Sequence, residues 1–289
     1  MSTAHSGDSR RLAISYALAS AIVLPLLDAI MKLLVRDYPV VMVAWARFGL
    51  MALFLGLGTA RALGGRLFRP AAMALQLARG AAAVFASITF YLGLKALPLA
   101  ECIAIVFIAP VLTTIFGALW LDERPDRLTW LAVAASFIGV VIIVRPGGQL
   151  FSLAAAYPLA GAFGLALYQV LTRAVSKHDD PRVTTFFGAL IAFAAFSAAL
   201  PGQFMLPRTG ADLAGFVAIG ALAALGQLFA SLAYRYAPTH VVAPLGYTSL
   251  IVAAVLGWWM FDNIPDGWSA AGMLIIALMG AFMVTRKVS

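Results

Sequence analysis

The stretch Gly117-Ala-Leu-Trp-Leu-Asp-Glu-Arg-Pro125 is answered 140 positions later by Gly257-Trp-Trp-Met-Phe-Asp-Asn-Ile-Pro265. The same offset carries Pro98 onto Pro238 and Asp126 onto Asp266, with no gap. Each copy closes one apolar run just before another begins, so the chain reads as a duplicated unit. The runs on either side are about twenty residues long, enough at 1.5 Å per residue to cross a hydrocarbon core of roughly 30 Å. Between charged and Pro/Gly breaks they fall near 12–34, 40–60, 72–94, 99–121 and 128–144, then 153–174, 183–200, 212–234, 239–261 and 268–285. The expected fold is therefore an all-α integral membrane protein of ten transmembrane helices. It divides into two five-helix repeats, residues 1–146 and 147–289.

An odd number of spans per repeat makes the two halves enter the bilayer in opposite senses. The charges agree. Arg124 and Arg127 flank the first copy of the turn, and neither has a basic counterpart in the second. With both termini cytoplasmic, Arg10, Arg11, Arg61, Arg66, Arg69, Arg173, Lys177, Arg182, Arg235, Arg286 and Lys287 join them inside, against Arg36, Lys95, Arg145 and Arg208 outside. That is the bias expected of short cytoplasmic loops. Inverted repeats of this kind belong to secondary transporters, whose substrate site lies near the midplane between the halves.

Composition narrows the function further. The chain is 63% hydrophobic and 11% charged, far from the soluble norm, so its net charge of +8 is an orientation signal rather than a nucleic-acid footprint. The first run follows Arg10 and Arg11 but is long and holds Asp28, which makes it a retained helix rather than a leader. Cys102 is the lone cysteine, and His5, His178 and His240 are scattered, so no metal or cofactor is expected. No clustered carboxylates or histidines suggest an enzyme, and no P-loop suggests an ATP-driven pump.

Arg79-Gly80, Tyr91-Leu-Gly-Leu-Lys-Ala-Leu-Pro98, Pro110, Leu121-Asp-Glu-Arg-Pro125 and Gly139 up to Arg145-Pro-Gly follow one another in an order that resembles the EamA family of the drug/metabolite transporter superfamily. A second copy shows in Leu232-Ala-Tyr-Arg-Tyr-Ala-Pro238. The resemblance implies a ten-helix inverted-repeat fold, cytoplasmic termini and export of small metabolites. Within the family the chain looks most like bacterial aromatic amino-acid exporters of the inner membrane. It departs from the common pattern at Asp122, where a glycine is usual, and at Asn263 and Ile264.

Ionisable groups inside spans mark candidate sites. Asp28 and Lys32, four residues apart on one face of the first helix, either form an ion pair or offer opposite charges to a zwitterion. Arg47, next to Trp45 and Phe48, either grips a substrate carboxylate or is structural, satisfying helix carbonyls or meeting Asp28. Glu101 opens the fourth helix, where it caps the dipole or accepts a proton or an ammonium group. Tyr91, Tyr168, Tyr234 and Tyr247 can set rings against an apolar side chain and hydroxyls against its polar end. Gln169 and Gln227 suit a cavity or helix–helix bonding, and Arg79 is expected to snorkel at the cytoplasmic end. The partners expected are an amino acid and the lipid bilayer, with lipophilic cations as the alternative cargo.

Overall fold

The computed structural model describes residues 3–121, 125–144, 153–242, 245–246, 248–264 and 266–285. Its first half runs through α1 (Thr3–Asp37), α2 (Val40–Leu63), α3 (Met73–Ala96), α4 (Leu99–Val106), α5 (Ala109–Trp120) and α6 (Arg127–Val144). Its second half holds α7 (Leu153–Val175), α8 (Pro181–Ala199), α9 (Gly210–Tyr236), α10 (Thr239–Val242), α11 (Thr248–Phe261) and α12 (Gly267–Thr285). No strand occurs among the described residues. Seven helices are long and apolar enough to cross a bilayer, and three shorter apolar segments bring the total to ten. The boundary between the repeats, at residues 145–152, lies outside the described residues.

Two of the ten spans are not single helices. The fourth breaks at Phe107 and Ile108, where the Phe107 N–H reaches back to Ile103 O and Ala104 O, and α5 restarts with Pro110 in its first turn. Proline has no N–H to give to Val106 and its ring crowds that carbonyl, so an unbroken helix would be strained there. The ninth span comprises α10 and α11, with Leu245 and Gly246 in a 3-10 turn between them; Pro244 falls outside the described residues. Pro25 and Pro158, by contrast, sit within continuous helices.

Packing repeats across the two halves. α3 lies along α7 as α1 lies along α9, α2 packs on α8, and α6 packs on α12. Exchanging the halves converts the first pair into the second and each of the last two into itself, the pattern of an inverted repeat. Small residues bring the backbones of α6 and α12 close: a Cβ added to Gly272 would stand 2.5 Å from Gly139 O. Large apolar side chains such as Leu57, Leu119, Leu131 and Trp259 face outward, more than 55% exposed, which suits acyl chains and would be a liability in water.

Candidate functional site

α1 to α5 and α7 to α11 surround one cavity near mid-span, with a volume of about 250 Å³. That is close to the lower end of the roughly 300–1,000 Å³ usual for small-molecule sites. α6 and α12 contribute nothing to its lining. The cavity extends toward the terminal side as far as Ala17, Tyr234 and Val242. One helical turn the other way, beyond Asp28 and Tyr91, Met31 and Leu94 are completely buried. Its apolar wall includes Phe48, Phe90 and Phe107.

One polar region is built by the first three helices. Asp28 from α1, Arg47 from α2 and Tyr91 from α3 all line the cavity. The Arg47 guanidinium donates to the Tyr91 hydroxyl and lies 5.0 Å from the centre of the Phe48 ring. Its Nε is buried with no hydrogen-bond partner. Asp28 faces the same space, with no ion pair to Arg47 within 4 Å. Opposite formal charges therefore line one cavity without pairing directly.

A second polar region is built by α7, α8 and α9 of the other half around Arg79 of α3. The ring of Tyr168 on α7 is held from behind by Arg79, which is 0% exposed. Arg79 Nε donates to Thr172 Oγ1 at 2.8 Å, Nη1 to Thr184 O at 2.7 Å and Nη2 to the Tyr168 hydroxyl. That hydroxyl in turn donates to Gln227 Oε1 at 3.0 Å. The expectation that Arg79 snorkels is thus overturned: its charge is satisfied inward by α7 and α8, and Gly188 leaves just enough room for the guanidinium. Asp28 and Tyr168 stand 140 residues apart, the offset of the repeat, so the two regions occupy related places in the two halves.

Tyr234 lines the terminal side of the cavity. Lys32 does not reach the cavity: it turns from Asp28 and donates to Leu94 O at 2.9 Å and Leu97 O at 2.6 Å, at the end of α3. Arg173 does the same for the second half, donating to Tyr234 O at 2.9 Å. Leu94 and Tyr234 are themselves 140 residues apart, so the two basic side chains are matching caps. Trp45 lies outside the cavity, its Nε1 donating to Ser197 Oγ at 2.9 Å and its ring against Phe193 and Phe204. Tyr247 and the side chain of Glu101 lie outside the described residues. Ser20, Ser87, Ser249 and the three phenylalanines also line the cavity; as ordinary span residues they carry no sequence signal that would single them out. Among the described residues no three His, Cys, Asp or Glu side chains converge as a metal site.

Comparison with known proteins finds the same division into two related halves. The model of the EamA-like transporter family matches residues 11–145 and again 152–286. The chain belongs to that family. Among relatives, a riboflavin transporter of Vibrio cholerae is 30% identical over 188 residues, covering 64% of this chain and 62% of the relative. The pseudopaline exporter CntI of Pseudomonas aeruginosa is 26% identical over 231 residues, 76% of this chain and 81% of the relative. The match to the riboflavin transporter thus spans less than two thirds of that protein's length. A solved crystal structure shares the fold at a TM-score of 0.74, with 18% identity over 96% of both chains. Neither relative is named for amino acids.

Proposed function

We propose that this EamA-family chain is a secondary transporter of the bacterial inner membrane that exports small organic metabolites by alternating access. In this reading both termini are cytoplasmic. The observation that carries it is the mid-span cavity between inverted halves, where Asp28 and Arg47 bring opposite charges to one face of an aromatic-walled space. An amino acid fits that arrangement: its ammonium group lies at Asp28, its carboxylate at Arg47 and its side chain against Phe48, Phe90 and Phe107. Export is supported by the extension of the cavity toward the terminal side, which this topology makes cytoplasmic. The matching caps at Lys32 and Arg173 would hold the ends of α3 and α9 while the halves rock.

A second reading, a flavin-like cargo, is favoured by the 30% identity to a riboflavin transporter and by the same aromatic walls, which suit a flat ring system. Counterflow of labelled phenylalanine, other amino acids and riboflavin in proteoliposomes of the purified chain tests both. Saturable exchange of a panel member that Arg47→Met weakens supports the site. Exchange unchanged in both Arg47→Met and Asp28→Asn would refute it, and exchange of no member would remove the transport reading.

A further inference from the structure

Two neutral side chains in the cavity are oriented more tightly than a generic polar lining requires. Gln169 and Gln227, on α7 and α9, both line it. Thr113 donates to Gln169 Oε1 at 2.8 Å, and Tyr168 donates to Gln227 Oε1 at 3.0 Å. An amide whose oxygen accepts from a neighbour on one side turns its NH2 group, with two N–H donors, to the other. Neither NH2 group has a hydrogen-bond partner among the described residues.

The orientation of Gln227 is set from behind. Arg79 is a permanent donor, so the Tyr168 hydroxyl must accept from it, and the hydroxyl's own proton is then directed at Gln227 Oε1. With its three bonds to α7 and α8 the guanidinium cannot turn away. The order Arg79, Tyr168, Gln227 therefore ends in an N–H pair presented to the cavity. Gln169 adds a second pair from the neighbouring position on α7. Both glutamines are partly exposed to the cavity, so these donors are open to a guest, and one whose acceptors match them replaces the water they would otherwise bind.

We propose that Gln169 and Gln227 form a specificity-determining donor pair for the neutral, acceptor-bearing edge of the substrate. The class this selects is heteroaromatic or amide-containing metabolites, with carbonyl oxygens or ring nitrogens at one end and a polar or charged group at the other. The first end docks at the glutamines and the second at Asp28 and Arg47. A simple apolar amino acid has no acceptor apart from its carboxylate, which the Arg47 region already claims. This deepens the transport reading and rests on it.

The test is counterflow in proteoliposomes of the full chain, with riboflavin as the acceptor-edged probe and phenylalanine as the probe without one. Gln169→Met and Gln227→Met keep side-chain length and remove the donors. Each is expected to raise the riboflavin KM about five- to tenfold, the worth of one buried hydrogen bond, and to leave the maximal rate within about twofold. Phenylalanine exchange should shift by less than about twofold in both, which a merely structural defect would not allow. Gln227→Glu, which replaces donors by acceptors, should abolish saturable riboflavin exchange. Quenching of flavin fluorescence by the detergent-solubilised variants gives the same ranking without reconstitution. An unchanged riboflavin KM in both Met variants, equal shifts for the two probes, or exchange of phenylalanine without riboflavin would overturn the donor pair while transport stands. Wild-type protein that exchanges neither probe would overturn transport and this inference together.

Discussion

Replacing Arg79 by methionine separates an interior tie from a surface anchor. The guanidinium makes three charge-assisted hydrogen bonds, to Thr172 Oγ1, Thr184 O and the Tyr168 hydroxyl, and lies 4.3 Å from the centre of the Tyr168 ring. Bonds to charged groups contribute about 1.5–3 kcal/mol each, but the acceptors here are not all orphaned by its loss. Thr172 Oγ1 still donates to Tyr168 O at 2.7 Å, and the Tyr168 hydroxyl keeps Gln227. The transplanted methionine also relieves the cost of holding a charge in the interior. The net loss for Arg79→Met should therefore sit near the low end of the range for a broken buried network, about 3 kcal/mol. Arg79→Lys, which retains the charge but can reach only some of the acceptors, should lose about half of that. Unfolding titrated with SDS from detergent micelles, followed by tryptophan fluorescence, measures both. A methionine variant within about 0.5 kcal/mol of wild type would refute the reasoning, because that is the cost expected for an unremarkable surface substitution.

Other substitutions test the packing and the site boundary. Gly272→Ala places a methyl 2.5 Å from Gly139 O and from Ile143, forcing α12 off α6 at a cost of about 1–3 kcal/mol, whereas Gly58→Ala meets nothing within 4 Å and should stabilise by about 0.5–1 kcal/mol through helix propensity; the same SDS titration should show opposite signs. Lys32→Leu strips the caps from Leu94 O and Leu97 O and should destabilise by about 2 kcal/mol, yet leave the KM of any exchanged substrate unchanged, since Lys32 lies outside the cavity. Trp45→Phe removes the bond to Ser197 and part of the ring packed on Phe193 and Phe204, and should cost about 1–2 kcal/mol, again with unchanged KM. Fluorescent-protein and alkaline-phosphatase fusions after Ser289 should give a fluorescent, phosphatase-negative pair if the C-terminus is cytoplasmic; the reverse pattern would invert the topology.

The sequence alone was enough for the architecture, because membrane insertion is governed by quantities that sum along the chain. Apolar runs of sufficient length, the Lys/Arg bias and the 140-residue offset define ten spans and two related halves before any contact is known. The neighbourhood of the site was partly legible for the same reason: a charge in a span is expensive, so Asp28 and Arg47 stood out, and both face the cavity. What a polar side chain does once buried depends on direction and partners, and those are tertiary. Asp28 and Lys32 share a helix face by spacing, yet Lys32 turns to the carbonyls ending α3 while Asp28 faces the cavity. Arg79 is near a helix end in sequence, where water or phosphate would satisfy it; the fold instead brings Thr172, Thr184 and Tyr168 around it from 93, 105 and 89 residues away. The cavity phenylalanines look like any other apolar span residue, since lipid, core and cavity wall all accept the same side chain. Only the packing of α3 on α7 and α1 on α9 decides which of them lines the cavity.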